Sequence, residues 1–512
     1  MVQLTEAAAG ALHSAIATVP RSIAGLRLEV RSGGCAGLEY EMGLVENSGP
    51  EDIACESHGV KILIDPSSVA LISGTTIDFV DSREGTGFSF DNPMPSQRVA
   101  AANPAVEIRG PRKLAMTEMR RHKPRVYLDN NATTRADPRV VEAMLPFLRD
   151  EFANPSSLHD MGASAKDAVR AARSQVCALI GAERESEIVF TSGGSESNNT
   201  AIVSALETQE GRNEIVTSAV EHPSVLALCA HLEKTGRAKV HRIPVDGQGG
   251  LILDEYRNAF SQRTALVSIQ WANNETGVLF PVQMLASIAH AAGALFHCDA
   301  VQAGGRVEVD ICGTEIDMLS ISAHKIHGPK GIGALYVRNG VKLAPLIHGG
   351  RQERGRRAGT ENTPAIVGFG VAAELAAREL QRDMHRVSLL RDRLEREILL
   401  LVPTAIRVGD HSNCLPNTLN IAFENIEADS ILITLNREGI AASSGSACTA
   451  GSLNPSHVLT AMRVPFSHLR GSVRFSLSRE NSDQDVDRVL EVLRKSLDEL
   501  QAGAVSLEAA YV

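Results

Sequence analysis

The sequence predicts an α/β protein with a mostly parallel sheet and flanking helices, preceded by a small, mainly β domain. From Val126 onwards, short apolar runs alternate with helix-length segments, which is typical of a parallel sheet covered on both faces. In residues 1–97, short runs with period-two alternation are separated by glycines, which predicts small antiparallel sheets. The charge changes sign between the two: residues 1–97 carry 5 Lys and Arg against 13 Asp and Glu, and residues 98–125 carry 8 against 2.

The basic stretch of residues 98–125 shows little periodicity and contains several prolines, so we interpret it as a solvated linker. Both flanking regions are acidic and the whole chain of 512 residues has a net charge of −10, which argues against nucleic acid as a partner. No apolar run reaches membrane-spanning length, and we expect no membrane association. The eight cysteines are scattered without a CxxC pair, which favours reduced thiols and a cytoplasmic location.

The first domain begins with a helical pattern from Leu4 to Val19. Five alternating runs follow, and each predicts a strand: 26–30, 38–42, 60–64, 76–80 and 87–91. Between the first two of these strands, the segment Ser32-Gly-Gly-Cys-Ala-Gly37 presents the thiol of Cys35 on a loop.

The second region carries polar residues at the ends of its predicted strands, which are 187–190, 214–217, 265–269, 294–298, 318–321 and 333–337. Functional groups collect at the carboxyl ends of the strands in such sheets. Lys325 follows one of these strands and lies between His324 and His327, and a neutral lysine amine there can form a Schiff base with an aldehyde cofactor. Alone, this stretch is equally compatible with a basic surface loop.

Three further strand ends complete a set of groups. The segment Thr191-Ser-Gly-Gly-Ser opens a helix whose free N–H groups suit a phosphate, although such a start is usually only a capped helix. His222 follows the next strand and is either structural or a ring that stacks on a cofactor, and Asp299 either caps a helix or holds a pyridine nitrogen protonated. Phosphate cradle, histidine, aspartate and lysine in this order together predict pyridoxal 5′-phosphate (PLP) as the cofactor.

Residues 1–97 resemble the HesB/IscA-type (A-type) iron–sulfur carrier domain. The resemblance lies in the Cys35 loop, in Ile64-Asp-Pro and in Gly87-Phe-Ser-Phe-Asp-Asn-Pro93. That family uses three cysteines, the loop cysteine and a Cys-x-Cys near the C-terminus. This chain lacks the Cys-x-Cys, since no cysteine occurs between Cys55 and Cys177, so Cys35 alone remains of the family's metal ligands.

Residues 126–500 resemble the NifS/IscS-type cysteine desulfurases, and the NifS branch most. The motifs that carry this likeness are Tyr127-Leu-Asp-Asn-Asn-Ala-Thr-Thr, Asn154-Pro-Ser-Ser-Leu-His, Glu221-His-Pro, Asn273-Asn-Glu-Thr-Gly, Ala323-His-Lys, Arg354-Gly-Arg-Arg-Ala-Gly-Thr-Glu-Asn and Ser443-Ser-Gly-Ser-Ala-Cys448. The resemblance implies a fold-type-I PLP-dependent transferase that acts as a homodimer. It also implies a PLP-binding large domain at 126–385 and a small C-terminal α+β domain at 386–505 that carries the catalytic cysteine loop.

The resemblance also implies roles for individual residues. Lys325 is the Schiff-base lysine, His222 stacks on the cofactor and assists proton transfer, and Arg474 binds the substrate carboxylate with help from Asn154. The remaining cofactor-binding residues that it implies are Gly194, Ser195, Asn274, Asp299, Gln302, Ser322, His324 and, from the partner subunit, Thr360.

The resemblance implies that Cys448 carries the sulfur. Its segment, 441–454, is small, polar and glycine-rich, which predicts a loop with little apolar surface to pack. By resemblance, the enzyme converts L-cysteine to L-alanine, holds the sulfur as a persulfide on Cys448 and passes it to an acceptor protein such as an iron–sulfur scaffold. The sequence leaves open whether this serves general or nitrogenase-related cluster assembly. Two alternatives stay open: selenocysteine lysis or aminotransfer on the same scaffold, and an iron–sulfur scaffold or carrier whose second half only docks partners.

Two cysteines are candidate metal ligands. Cys448 would ligate a cluster shared with a scaffold partner, and Cys35 would complete a cluster or receive sulfur from Cys448. The alternative for the first domain is a role in dimer stability or docking without a metal.

Overall fold

The computed structural model describes residues 2–18, 23–32, 38–45, 48, 52–72, 74–82, 85–91, 125–444 and 455–510. The expectations for the linker at 98–124, for Cys35 and for Cys448 therefore lie outside the described residues. The chain divides into two compact units, Met1–Thr117 and Glu118–Val512.

The first unit is mainly β, as the sequence predicts. Its elements are β1 (Gln3–Leu4), α1 (Glu6–Thr18), β2 (Gly25–Ser32), β3 (Leu38–Val45), β4 (Ile53–Ser57), β5 (Val60–Ile64), α2 (Val69–Ile72), β6 (Thr76–Ser82) and β7 (Gly85–Asp91). Helix α1 begins after Thr5, whose hydroxyl accepts a hydrogen bond from the Ala8 N–H at 3.2 Å. Leu28, Ile62 and Ile77 are fully buried in the core of this unit.

The sheets of this unit are mixed, which corrects the prediction of small antiparallel sheets. The strand orders are β3-β2-β5-β4 and β1-β6-β7, and the pairs β2–β5 and β1–β6 are parallel. The pairs β2–β3, β4–β5 and β6–β7 are antiparallel and consecutive in the chain. Period-two alternation reports burial on one face of a strand and does not report the direction of its neighbour, so the crossovers could not be seen in the sequence.

The second unit begins with β8 (Val126–Tyr127) and alternates helices with strands. Its larger part contains α3 (Pro138–Arg149), α4 (Asp160–Leu179), β9 (Ile188–Thr191), α5 (Gly194–Thr208), β10 (Glu214–Ser218), α6 (Pro223–Lys234), β11 (Lys239–Ile243), α7 (Leu253–Asn258), β12 (Thr264–Gln270), α8 (Val282–Ala291), β13 (Leu295–Asp299), β14 (Met318–Ser322), β15 (Gly333–Val337) and α9 (Thr363–Leu401). Its C-terminal part contains β16 (Ile406–Arg407), β17 (Thr418–Ala422), α10 (Ala428–Arg437), β18 (Ile440–Ala441), α11 (His457–Ala461), α12 (Phe466–Leu469), β19 (Ser472–Ser476) and α13 (Asp483–Ala510).

A seven-stranded sheet organises this unit, in the order β11-β10-β12-β13-β14-β15-β9. All neighbours in it are parallel except β15, which runs antiparallel to both β14 and β9. Strands β9, β10, β12, β14 and β15 are buried along their whole length, because helices pack on both faces. The mostly parallel sheet is therefore confirmed.

Helix α9 joins this sheet to a second core. Phe369 and Ala372 in its first half pack with the large sheet, whereas Leu394 and Ile398 in its second half pack with the small sheet β16-β17-β19. Val126 of β8 belongs to this second core as well, and β8 pairs with β18. The predicted boundary between residues 385 and 386 falls inside α9, and the exact division into domains stays a prediction.

Among the residues that the structure describes, no helix is both long enough and apolar enough to cross a membrane.

Candidate active site

A cavity of about 260 Å³ opens at the carboxyl ends of the parallel strands in the second unit. The loops after β9, β10, β12, β13 and β14 supply its walls, which is where functional groups are expected in a sheet of this type. Nine of the residues proposed from the sequence line it: Gly194, Ser195, His222, Asn274, Asp299, Gln302, Ser322, His324 and Lys325.

Lys325 enters the cavity from a single 3₁₀ turn, Ala323–Lys325, directly after the buried strand β14. Its Nζ donates hydrogen bonds to the carbonyl oxygens of Asn131 at 2.5 Å and of Ala132 at 2.8 Å. These carbonyls belong to the turn after β8, so strand β14 and that turn together fix the position of the amine.

After β9, where the sequence predicts a phosphate cradle, helix α5 starts beside a buried hydroxyl. Gly193 has a φ of 153° and helix α5 begins at Gly194 without a side-chain cap, which leaves N–H groups of the first turn available. Across from it, Ser322 Oγ is buried and has no hydrogen-bond partner in the described part of the chain. A β-carbon on residue 193 would lie 3.9 Å from this oxygen, so both groups border the same space. Free N–H groups and a spare hydroxyl at a helix N-terminus fit a phosphate.

His324 lies beside this cradle and is neutral. Its Nδ1 is 3.1 Å from the hydroxyl of Thr133, and burial, reinforced by the nearby Lys325, lowers the pKa of the ring to about 4.

Asp299 ends strand β13 and is 6% exposed. One carboxylate oxygen accepts a hydrogen bond from the Val301 N–H at 3.0 Å, and the other accepts from Asn198 Nδ2 at 2.6 Å. The carboxylate is thus held from both sides while it borders the cavity, which suits a partner for a protonated ring nitrogen.

His222 follows β10 and caps helix α6, because its Nδ1 accepts a hydrogen bond from the Ser224 N–H at 3.1 Å. The same nitrogen is 2.8 Å from Ser224 Oγ. Burial lowers the pKa of the ring, nearby Lys325 and His457 lower it further, and Asp299 opposes them. A neutral imidazole therefore faces the cavity.

Gln302 and Asn274 close the remaining wall. Gln302 donates from Nε2 to the carbonyl of Asn131 at 3.0 Å, and its side-chain oxygen accepts from the buried guanidinium of Arg306. Burial, with repulsion from Arg474, lowers the pKa of Arg306 to about 9. The carbonyl of Asn274 accepts from Arg474 Nη1 at 2.9 Å.

Three of the proposed residues do not line the cavity in the single chain. Arg474 is buried in β19 beside it, with Nη2 at 2.7 Å from Asp129 Oδ1. Asn154 is exposed, and its side-chain oxygen accepts from the Ser156 N–H. Thr360 is exposed too, and its predicted role toward a partner subunit stays a prediction.

Cys448 and Cys35, the two proposed metal ligands, lie outside the described residues. The described residues on either side of Cys448 are nevertheless attached to the site. Ser443 pairs through its backbone with Arg474, and Ser456 Oγ donates to Glu275 Oε2 at 2.6 Å. Among the described residues, no group of three or more His, Cys, Asp or Glu side chains could hold a metal ion.

Sequence reasoning assigned no role to several residues that hold the site together, namely Asp129, Asn198, Glu221, Ser224 and Arg306. One signal was available for Asn198, since it lies four residues after Gly194 and therefore on the same face of α5. Glu221 precedes His222 and is fully buried; burial raises the pKa of its carboxyl to about 8. No sequence pattern distinguishes such a carboxyl from a surface one.

Comparisons with known proteins agree with this geometry. Residues 126–489 match the family model for aminotransferase class-V, and residues 1–103 match that for iron–sulphur cluster biosynthesis. A cysteine desulfurase of Gluconacetobacter diazotrophicus is 63% identical over 368 residues, which are 72% of this chain and 92% of that protein. Cysteine desulfurase NifS of Azotobacter vinelandii is 54% identical over 365 residues, 71% of this chain and 90% of that protein.

A solved structure of a NifS-like protein superposes with a TM-score of 0.69 at 39% identity and covers 73% of this chain and 99% of its own. Both resemblances and the fold-type-I architecture predicted from the sequence are thereby confirmed. The chain belongs to the aminotransferase class-V family and, within it, to the cysteine desulfurases.

Proposed function

We propose that this protein is a PLP-dependent cysteine desulfurase that converts L-cysteine to L-alanine and supplies the sulfur for iron–sulfur cluster assembly. One observation supports this most directly. The amine of Lys325, the carboxylate of Asp299 and the open N-terminus of α5 border a single cavity at the carboxyl edge of one sheet.

The residues present fit PLP. The partnerless Ser322 hydroxyl and the first turn of α5, including Ser195, would hold its phosphate, and Asp299 would pair with the ring nitrogen. Lys325 would attach its aldehyde, and His222, His324, Asn274 and Gln302 would complete the contacts, with Thr360 contributed by the partner of a homodimer. Bound PLP supplies an electron sink that stabilises negative charge on the substrate α-carbon.

Individual side chains of this protein then have separate roles in the reaction. Arg474 binds the substrate carboxylate, which takes the place of Asp129 as a partner of the guanidinium, and Asn154 assists. Lys325 takes the α-proton of the substrate. His222 borders the same cavity, its pKa responds to the charges of Asp299 and Lys325, and it assists proton transfer.

Sulfur transfer belongs to Cys448. Its thiolate attacks the substrate sulfur, so that an S–S bond forms while the bond between Cβ and sulfur breaks. The electron pair of the broken bond stays on Cβ and is protonated to give the methyl group of alanine. The backbone attachment of Ser443 to Arg474 supports this assignment, because it brings the chain before Cys448 to the substrate-binding arginine.

The persulfide on Cys448 passes to a sulfur-acceptor protein, and we propose an iron–sulfur scaffold in the cytoplasm as that partner. The six described cysteines are all free thiols, which supports a reducing compartment. For the N-terminal domain we propose a part in the same assembly. Cys35 would either accept sulfur from Cys448 or ligate a cluster. Cys448 would likewise ligate a cluster that is shared with the scaffold.

The test is to incubate the enzyme with L-cysteine and a thiol reductant and to quantify alanine and sulfide. We expect equal amounts from the wild type and neither product at the wild-type rate from Lys325→Ala or Cys448→Ala. Cys312→Ala removes an exposed thiol elsewhere and serves as the matched control. Alanine without sulfide from the wild type, or full turnover by Cys448→Ala, would contradict the proposal.

A further inference from the structure

We propose that Ser224 and Asn198 are positioning residues that hold His222 as a neutral ring with its proton on Nε2. The inference deepens the proposed function and rests on it, because His222 is the imidazole that borders the reaction cavity.

The direction of each hydrogen bond follows from the chemistry of the donors. The backbone N–H of Ser224 can only donate, and it lies 3.1 Å from His222 Nδ1. Nδ1 must therefore carry a lone pair and no proton. The hydroxyl of Ser224, 2.8 Å from the same nitrogen, then donates as well.

Asn198 sets the orientation of that hydroxyl. Its Nδ2 has two hydrogens, of which one goes to Asp299 Oδ2 at 2.6 Å and the other to Ser224 Oγ at 2.9 Å. Turning the amide over would place its oxygen against the carboxylate of Asp299, so the observed orientation is the favourable one. Since Ser224 Oγ accepts from Asn198, its own hydrogen is directed to His222.

The series of hydrogen bonds Asp299–Asn198–Ser224–His222 fixes the tautomer of His222 and does not conduct protons. An amide nitrogen that donates on both sides cannot take up and release a proton at neutral pH. Because these hydrogen bonds occupy Nδ1, the Nε2–H group is the polar group of the ring that can bind a molecule in the cavity. His222 therefore begins each turnover as a hydrogen-bond donor, and the removal of the α-proton is left to Lys325.

The charged and titratable groups around the ring are consistent with this state. Lys325 and His457 disfavour a second proton on the ring and Asp299 favours one, but burial is the largest influence and keeps the ring neutral.

The experiment uses full-length protein labelled with ¹⁵N-histidine and read by solid-state NMR, with and without PLP. The signals of His222 are assigned by their loss in His222→Gln. We expect a protonated Nε2 and an unprotonated Nδ1 in the wild type, a mixture of tautomers in Ser224→Ala, and the wild-type pattern again in Ser224→Thr.

The same variants are assayed for alanine between pH 6 and 9. Without the Ser224 hydroxyl, the unprotonated Nδ1 loses a donor and the pKa of His222 rises. We therefore expect the acid limb of kcat to move up by about half to one pH unit, and kcat to fall about two- to tenfold with KM unchanged. Thr235→Ala removes a hydroxyl from the other end of α6 and should change neither readout.

A wild-type His222 protonated on Nδ1, or a Ser224→Ala enzyme with wild-type NMR signals and pH profile, would overturn the inference. A wild type that makes no alanine would instead overturn the proposed function, and the NMR result would still decide the tautomer.

Discussion

Gly333 is the position at which a single methyl group should loosen the phosphate cradle. A β-carbon on residue 333 would lie 2.7 Å from Gly193 Cα and 2.7 Å from the carbonyl oxygen of Ile321. Ordinary contacts begin at 3.4 Å, so in Gly333→Ala the backbone of Gly193 has to withdraw from 2.7 Å to at least 3.4 Å, a displacement of about 0.7 Å. Gly193 is the N-cap of α5, and the displacement is passed to the first turn of the cradle.

A hydrogen bond of about 2.9 Å lengthened by this amount no longer counts as one. Losing one such bond to a charged phosphate costs about 1.5–3 kcal/mol, which weakens PLP binding about tenfold to hundredfold. We would strip PLP from the enzyme and measure its dissociation constant by titration, following the absorption of the bound cofactor.

Gly304→Ala is the matched control, because a β-carbon there meets nothing closer than 3.5 Å. If Gly333→Ala is folded and binds PLP as tightly as the Gly304→Ala control, the close approach of residues 193 and 333 does not set the geometry of the cradle.

Three further predictions concern buried ionisable side chains. Arg173→Met leaves the buried Glu353 carboxylate without the guanidinium that it pairs with at 2.7 Å. Thermal unfolding should show a loss of stability of about 3–5 kcal/mol, and adding Glu353→Gln should restore part of it. Glu221 keeps its proton in the folded state up to about pH 8, whereas in the unfolded state it ionises above about pH 4.5. The free energy of unfolding should therefore fall by up to about 1.4 kcal/mol per pH unit between these two values. Melting temperatures taken from pH 5 to 9 should show a smaller loss in Glu221→Gln. Arg474→Lys should reduce kcat/KM for cysteine about tenfold to hundredfold, mostly through a higher KM. An unchanged KM would show that Arg474 does not bind the substrate carboxylate.

Local patterns in the sequence were sufficient to predict the parallel sheet and the strand-end groups of the cavity, namely the start of α5, His222, Asp299 and Lys325, whereas the other cavity residues came from the family resemblance. An apolar run with a polar residue at its end describes β13 with Asp299, and an apolar run followed by a short turn with a polar residue describes β14 with Lys325. Since parallel strands end at one edge of the sheet, such residues converge without any knowledge of side-chain contacts.

The residues that hold the site were not predictable in this way. Asp129 and Arg474 are paired at 2.7 Å although they lie far apart in the chain, and neither follows a strand of the large sheet. Arg306 is a cation buried against carbonyl oxygens, which no composition or periodicity indicates. Such contacts depend on tertiary packing alone.

The position of β15 has a consequence for the time at which the enzyme becomes competent during its synthesis. Strand β9 comes earliest of the seven in the chain, yet its neighbour in the sheet is β15, which comes last, with Thr191 opposite Gly333. A nascent chain that has already exposed Lys325 to solvent still lacks the strand against which β9 and the start of α5 are placed. The start of α5 and the reactive amine are therefore both synthesised before the strand that places the cradle, and capture of PLP must wait until residues 333–337 have left the ribosome.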